Sequence, residues 1–503
     1  MDFSRYFIHK PIDKIQAESD NHELKRSLSA LNLVSLGVGC IIGAGIFVLT
    51  GQAAAQHAGP AIVFSFVLAG LACAFAALCY AELASVLPVS GSAYTYAYAT
   101  LGESIAWAMG WLLILEYGLA SATVAVGWSG YLVSFLKDFG LVIPPGLTSP
   151  TLDLVVNPDP LAHGAMMLVA TNHFNLPAFL GIMAVTSLLV IGVSESATVN
   201  NIIVIIKLAV VVMFIVVGAL YVDTANWHPF IPPFIPDPKD AASGEFGFPG
   251  ILRGAGMIFF AYIGFEAVST AAQESKNPQR DMPIGILGSL VICTVLYIAV
   301  SLVLTGIVSY KELNVPDPMA VAIDKIHVSW LTFGNFKLLP FLIKVGALMG
   351  LSSVMLVLVY GQTRIFYMMG KDGLIPEFFC KLHAKFQTPY INTIIVGFIV
   401  GLVAGFTPIS VLGNLVSMGT LFAFCIVCYS VLYLRRKRPE LVRPFKTPFA
   451  PVVPLLGIAS CGYLIYGIGA AIFQALEWYF LAGVLVYLLY GQFHSKLHKE
   501  NLR

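Results

Sequence analysis

Gly37-Val38-Gly39-Cys40-Ile41-Ile42-Gly43-Ala44-Gly45-Ile46-Phe47-Val48-Leu49-Thr50-Gly51 lies inside an apolar segment, about residues 31–55. At ~1.5 Å per helical residue that segment is long enough to cross a hydrocarbon layer of ~30 Å. Glycine costs roughly 0.8–1 kcal/mol against alanine inside a helix, so the helix opens most easily at Gly43-Ala44-Gly45. Opened backbone leaves N–H and C=O groups unpaired where there is no water, which is tolerable around a cavity or a ligand. The competing reading is helix packing, since Gly39 and Gly43 also form a G-x-x-x-G face.

The surrounding composition fits a membrane protein. Of 503 residues, 58% are apolar and 11% are charged, against roughly 25% charged in soluble domains. Such a chain is a polytopic, all-α membrane protein, and nothing basic enough to hold nucleic acid is present. The first thirty residues are polar and charged and lack the apolar core of a secretory signal. Within residues 1–29, Arg5, Lys10, Lys14, Lys25 and Arg26 alternate with Phe3, Tyr6, Phe7 and Ile8, as in an amphipathic piece on an anionic cytoplasmic surface. The eight cysteines fall mostly within apolar segments and form no disulfide framework. Cys425-x-x-Cys428 has no histidine or acidic neighbour and reads as helix packing, not as a metal or redox site. No cofactor and no metal ion is expected.

Twelve apolar spans follow, at about 31–55, 60–86, 103–136, 176–194, 199–221, 250–274, 284–309, 338–368, 391–407, 410–434, 452–475 and 478–494. Lysine and arginine decide the orientation. Lys276, Arg280, Arg364, Lys371, the run Arg435-Arg436-Lys437-Arg438 and the tail residues Lys496 and Lys499 collect on one side. That side is the cytoplasm, which places both termini inside. The outer connections 138–175 and 222–249 are rich in proline and read as irregular, and 311–335 should include a short surface helix.

The sixth span carries a second glycine break, Gly254-Ala-Gly-Met-Ile-Phe-Phe-Ala-Tyr-Ile-Gly264-Phe-Glu266. Gly43 and Gly264 are 221 residues apart, and the same offset lays span 2 on span 7 and span 4 roughly on span 9. Interrupted helices at matching places in two halves point to a transporter's binding site. Half-helix N-termini offer N–H groups and half-helix C-termini offer carbonyls, a pairing suited to a zwitterion. We expect N–H groups around Ala44 and Gly45 to hold an α-carboxylate, with the small Gly43, Ala44, Gly45 and Gly264 letting a ligand touch backbone. Carbonyls near Ile41, Phe260, Ala261 and Ile263 would take the α-ammonium.

Ionisable residues inside spans are functional candidates by default. Lys207 is about eight residues into span 5, roughly 12 Å from its cytoplasmic start. It either snorkels or, desolvated, takes up and releases a proton, partnered by carbonyls of the first break and the hydroxyls of Ser352 and Ser353. Glu116, near the middle of span 3, is a substrate side-chain contact, a proton carrier or a neutral packing residue. Glu266 should pair with a neighbouring helix end, and Lys344 and Arg253 should snorkel. No metal-spaced histidine cluster and no nucleophile–base pair lies in the spans, so an enzyme is set aside.

These motifs resemble the cationic amino acid transporter family of the amino acid–polyamine–organocation superfamily. The likeness rests on Lys10-Pro-Ile-Asp-Lys, Gly37 to Gly51, Cys79-Tyr-Ala-Glu-Leu-Ala, Phe259 to Arg280 and Arg364-Ile-Phe-Tyr-Met-Met-Gly-Lys-Asp-Gly-Leu-Ile-Pro376. It implies a LeuT-type fold: residues 30–221 and 250–434 as five-helix inverted repeats, 450–494 as two added spans and 495–503 as a cytoplasmic tail. Twelve spans fit the bacterial branch, which sits in the cytoplasmic membrane. The resemblance implies L-amino acid uptake driven by protons, with a lysine at Lys207 replacing a sodium ion and an acid at Glu116 near the substrate side chain. Two departures are Ala44, where many relatives have threonine, and Glu266, where aspartate is usual. The competing functions are an amino acid or polyamine exchanger, a channel or a substrate sensor. The sequence leaves open cationic or neutral substrate, oligomeric state and a small accessory membrane subunit.

Overall fold

The computed structural model describes residues 8–11, 28–88, 92–156, 166–192, 197–237, 240–326, 332–333 and 336–501. The amphipathic piece expected in residues 1–29 lies almost wholly outside the described residues. Among them, eight helices are long and apolar enough to cross a membrane. Four shorter apolar helices accompany these: Ala30–Ile41, Leu176–Ile191, Tyr390–Phe406 and Val452–Ile468.

We label the main helices α1 (Ala30–Ile41), α2 (Ile62–Val86), α3 (Ser92–Thr100), α4 (Glu103–Asp138), α5 (Leu176–Ile191), α6 (Ala197–Ala219) and α7 (Gly247–Ile258). They continue as α8 (Pro278–Ile307), α9 (Pro318–Lys325), α10 (Leu338–Lys371), α11 (Tyr390–Phe406), α12 (Ile409–Lys437), α13 (Val452–Ile468) and α14 (Ala470–Val486). Local chemistry sets several ends. Asn175 accepts from the Ala178 N–H and Pro177 occupies the first turn of α5, which Gly192 closes in the left-handed conformation.

Packing sorts the helices into two groups. α1, α2, α7 and α8 pack mainly on one another, and α4, α5, α10 and α11 do the same. α6 touches α1, α8 and α10, while α12 touches α4, α2 and α13. Among the largest fully buried side chains, Tyr262 packs on Phe66 of α2 and Tyr297 of α8, and Tyr80, Phe259 and Phe265 gather around Phe424 of α12.

The long connections are more ordered than their prolines suggested. Leu152–Val156 pairs antiparallel with Met166–Ala170, and Ile235–Asp237 with Asp240–Glu245. Prolines confined to turns and strand edges leave such hairpins intact. α9 was expected on the surface, yet Pro318, Met319, Ala320, Ala322 and Ile323 are buried. It wedges between Gly51, whose missing side chain admits Pro318, and the N-terminal part of α10.

The two chain ends meet on one side. Lys10 N donates to the Tyr98 carbonyl, Glu103 N to Ile8, and Lys496 N to Asp372. Termini that share a face fit an even number of crossings.

Candidate functional site

The first glycine stretch is broken where the sequence predicted. α1 stops at Ile41, Ile42 is extended (φ −72°, ψ 97°), and the chain resumes at Ala44 as a wide π turn over Gly45–Leu49. The packing reading holds for the other glycines: Gly39 makes room for Val204 of α6, and Gly37 for Ser289 of α8. The second break follows α7. A tight turn over Phe259–Tyr262 leads to extended Ile263 (ψ 133°) and Gly264 at φ +121°, and a 3₁₀ helix then runs over Glu266–Glu274.

The two breaks touch through their backbones. A side chain on Gly45 would stand 2.3 Å from the Ala261 Cα, and one on Gly264 2.8 Å from the Cys40 carbonyl carbon. Gly264 is doubly required, because its positive φ also excludes other residues at low cost. Ile41, Gly43, Ala44, Gly45, Phe260, Ala261 and Ile263 therefore form one buried cluster.

Their backbone groups are partly used. The Tyr297 hydroxyl of α8 lies 2.8 Å from the Ile41 carbonyl and 2.6 Å from the Ala261 carbonyl. One hydroxyl proton serves two acceptors, so one of them has room for a further donor. The Phe260 carbonyl accepts from Ile263 N–H, and Phe260 N–H donates to the Ser417 hydroxyl of α12 at 3.0 Å. At the restart after Gly43 the leading N–H groups have no preceding helical carbonyl, the usual state of a helix N-terminus. Tyr297 and Ser417 were missed in the sequence, where a tyrosine and a serine in apolar spans look like ordinary core. The available signal was that a buried hydroxyl in hydrocarbon needs a partner.

Lys207, 1% exposed, donates to the Gly39 carbonyl at 2.8 Å. That carbonyl belongs to the last turn of α1 and loses its helical partner at the break. Ser352 donates to Leu348 of its own helix, and Ser353 is buried beside it on α10. Snorkelling is overturned for Lys344, which is fully buried and bonds Asp138 at 2.8 Å and Asp324 at 2.9 Å. Arg253, part-exposed near the start of α7, reaches out to the part-exposed Glu245 at 2.9 Å. A buried ammonium needs such partners, whereas a snorkelling one reaches water.

Glu116, 1% exposed, lies beside the Thr420 hydroxyl of α12, its side-chain hydrogen-bonding neighbour. Its Oε1, that hydroxyl and Gln362 Oε1 of α10 are buried and make no close, well-aligned hydrogen bond among the described residues. Buried polar atoms are nearly always satisfied, so this group is the most polar part of the interior still able to receive a hydrogen-bonding partner. Glu266 does not reach a neighbouring helix. Both its oxygens accept from Gly264 N–H, at 3.1 and 2.9 Å, which holds the backbone of its own break.

Outside the spans, burial pushes Glu245 up, but the adjoining His57 and Arg253 outweigh it and hold its carboxyl below the usual range. Burial also pushes Asp317, at the start of α9, up to about 6, against the opposing effects of Ser134 and Lys344.

Residues 28–486 match the model of the amino acid permease family. The chain is 44% identical over 496 residues to a methylthioribose transporter of Bacillus subtilis, covering 99% of this chain and all of that one. It is 45% identical over 489 residues to a branched-chain amino acid permease of the same organism, covering 97% of each. A vacuolar cationic amino acid transporter of Arabidopsis thaliana is 38% identical over 437 residues, 86% of this chain and 67% of that one. With paired helix breaks at its centre and relatives that are transporters and not enzymes, the chain belongs to the amino acid permease family of the amino acid–polyamine–organocation superfamily.

Proposed function

We propose that this membrane protein is a secondary active transporter that imports L-amino acids across the bacterial cytoplasmic membrane by proton symport and alternating access. The observation that carries the reading is the backbone contact between the two helix breaks, Gly45 on Ala261 and Gly264 on Cys40. In this reading the N–H groups at Gly43, Ala44 and Gly45 take the carboxylate. The Ile41, Phe260, Ala261 and Ile263 region takes the ammonium, with Tyr297 yielding a carbonyl. Glu116 faces the side chain. The fold is a LeuT-type twelve-span protein with repeats at 30–221 and 250–434, two further spans within 450–494, and residues 1–29 and 495–503 in the cytoplasm. The two packing groups of helices support it.

Lys207 is the proton carrier. Its bond to Gly39 ties α6 to the last turn of α1, so losing a proton would loosen the half-helix that must move. Proteoliposome uptake of labelled amino acids, with and without an inward proton gradient, tests the coupling. Accumulation should require the gradient and vanish in Lys207→Ala while the protein stays folded. Accumulation in that variant equal to the wild type would refute the assignment. Uptake that needs preloaded amino acid or polyamine inside would identify an exchanger. Methylthioribose is to be included, since one relative is named for it.

A further inference from the structure

The connection from α12 to α13, residues 438–451, is fastened to the end of α2 by a buried carboxylate. Arg435 donates to both oxygens of Glu82, at 2.9 and 2.6 Å, and the Arg443 guanidinium lies 3.4 Å from it. The Thr447 N–H donates to Glu82 at 2.8 Å, and the Phe445 N–H to the Ser85 hydroxyl at 3.3 Å. Arg443 also closes the turn by donating to the Leu441 and Arg438 carbonyls, both at 2.8 Å. Pro439, Pro444, Pro448 and Pro451 narrow the backbone's freedom further.

This built connection turns charge and apolar bulk outward together. Arg436, Lys437, Arg438 and Lys446 are exposed. Glu440, which Arg438 meets at 3.5 Å, is the one acid between Arg435 and Val452. Val442 is 83% exposed and Phe449 85%. Phe449 also stands at φ +48°, a conformation that bulky residues rarely adopt, so the fold holds the ring outward at a cost. Val452, three residues on at the start of α13, is exposed as well, and Leu455 and Leu456 follow it one turn later. In a chain that spans a membrane, such a row marks the edge of the hydrocarbon, the level that aromatic side chains favour. A free phosphate ion would meet the cations but leave Val442 and Phe449 in water. A lipid meets both, and a net negative headgroup suits an excess of cations better than a zwitterionic one.

We propose that residues 436–449 form a binding site for anionic phospholipid, with Phe449 and Val442 among the acyl chains and Arg436, Lys437, Arg438 and Lys446 on the headgroup phosphates.

The test uses the full-length protein in dodecyl maltoside, illuminated with a phosphatidylglycerol analogue that carries a diazirine on its headgroup, and mass spectrometry to map the label. Label should concentrate within residues 436–449. Unlabelled phosphatidylglycerol should displace it, phosphatidylcholine at the same concentration should not, and raised salt should weaken it. Replacing Arg436, Lys437 and Lys446 together by glutamine should cut this labelling by about ten-fold or more, since each cation near an anionic headgroup adds to the attraction. Phe449→Ser should also reduce it, while Lys381→Gln with Lys385→Gln, exposed on the connection from α10 to α11, should not. The wild-type competition needs no variant, so a replacement that failed to fold would leave the test intact. Label confined to other residues, or equal displacement by phosphatidylcholine, would overturn the proposal. So would displacement by millimolar inorganic phosphate alone, which would make this a free-phosphate site. None of these readouts involves a transported substrate.

Discussion

Gly45 and Gly264 permit the two helix breaks to touch. Alanine at Gly45 would place a methyl carbon about 2.3 Å from the Ala261 Cα, an overlap with backbone that no rotamer relieves. Overpacking of this kind costs about 1–3 kcal/mol, roughly 5- to 150-fold in an equilibrium constant. Gly45→Ala is therefore expected to weaken amino acid binding by that factor in equilibrium binding assays, while Gly462→Ala, with open space around it, should not. Tyr297→Phe tests the shared hydroxyl. Removing it leaves the Ile41 and Ala261 carbonyls without their donor, at about 1–3 kcal/mol in stability, read as a fall in melting temperature that bound ligand partly reverses. The break residues were legible because glycine in an apolar helix is costly wherever it serves no purpose. Tyr297 was not legible, because nothing along the chain says which carbonyls, 36 and 256 residues away, its hydroxyl will meet.

At the scale of elements, α9 is held as a plug by charges the sequence placed far apart. Lys344 of α10 joins Asp138 of α4 and Asp324 of α9, partners 206 and 20 residues distant. Sequence spacing could not show that convergence, so a lysine near a helix end read as snorkelling. Replacing both Asp138 and Asp324 by asparagine removes the two carboxylates bonded to the buried ammonium and leaves it only the influence of Asp317, at a cost of up to about 3–5 kcal/mol. The double variant should melt well below the wild type, and the Lys344→Met background should make the same replacements nearly neutral. Asp317 adds a pH dependence. Its carboxyl is raised to about 6 in the closed arrangement, from an ordinary value of 3.8, chiefly by burial. The closed plug thus holds the proton more tightly than an open one, so its stability is fullest below pH 3.8 and is lost as pH rises through about 6. Hydrogen exchange across residues 308–326, corrected for intrinsic rates, should show more protection at pH 5 than at pH 7.5, and Asp317→Asn should abolish the difference. The proline-rich connections hid two hairpins for a related reason: proline marks where a strand pairs on one edge, not that pairing is absent.

For the whole molecule, the hydropathy of the chain and its two glycine stretches anticipated a helical membrane protein with two interrupted helices. What they could not supply is how α12 supports the second break through Ser417, or how Glu266 holds the Gly264 N–H of its own break, since both depend on packing. We propose that the joined breaks recognise the common end of an amino acid by backbone groups. Isothermal titration of the purified protein tests this most directly, with L-leucine, its methyl ester and its N-acetyl derivative as ligands. L-leucine should bind saturably, and both derivatives should bind at least 100-fold more weakly, since each loses one of the two charges the breaks receive. Equal affinity for all three, or saturable binding of the ester and the amide alone, would contradict it.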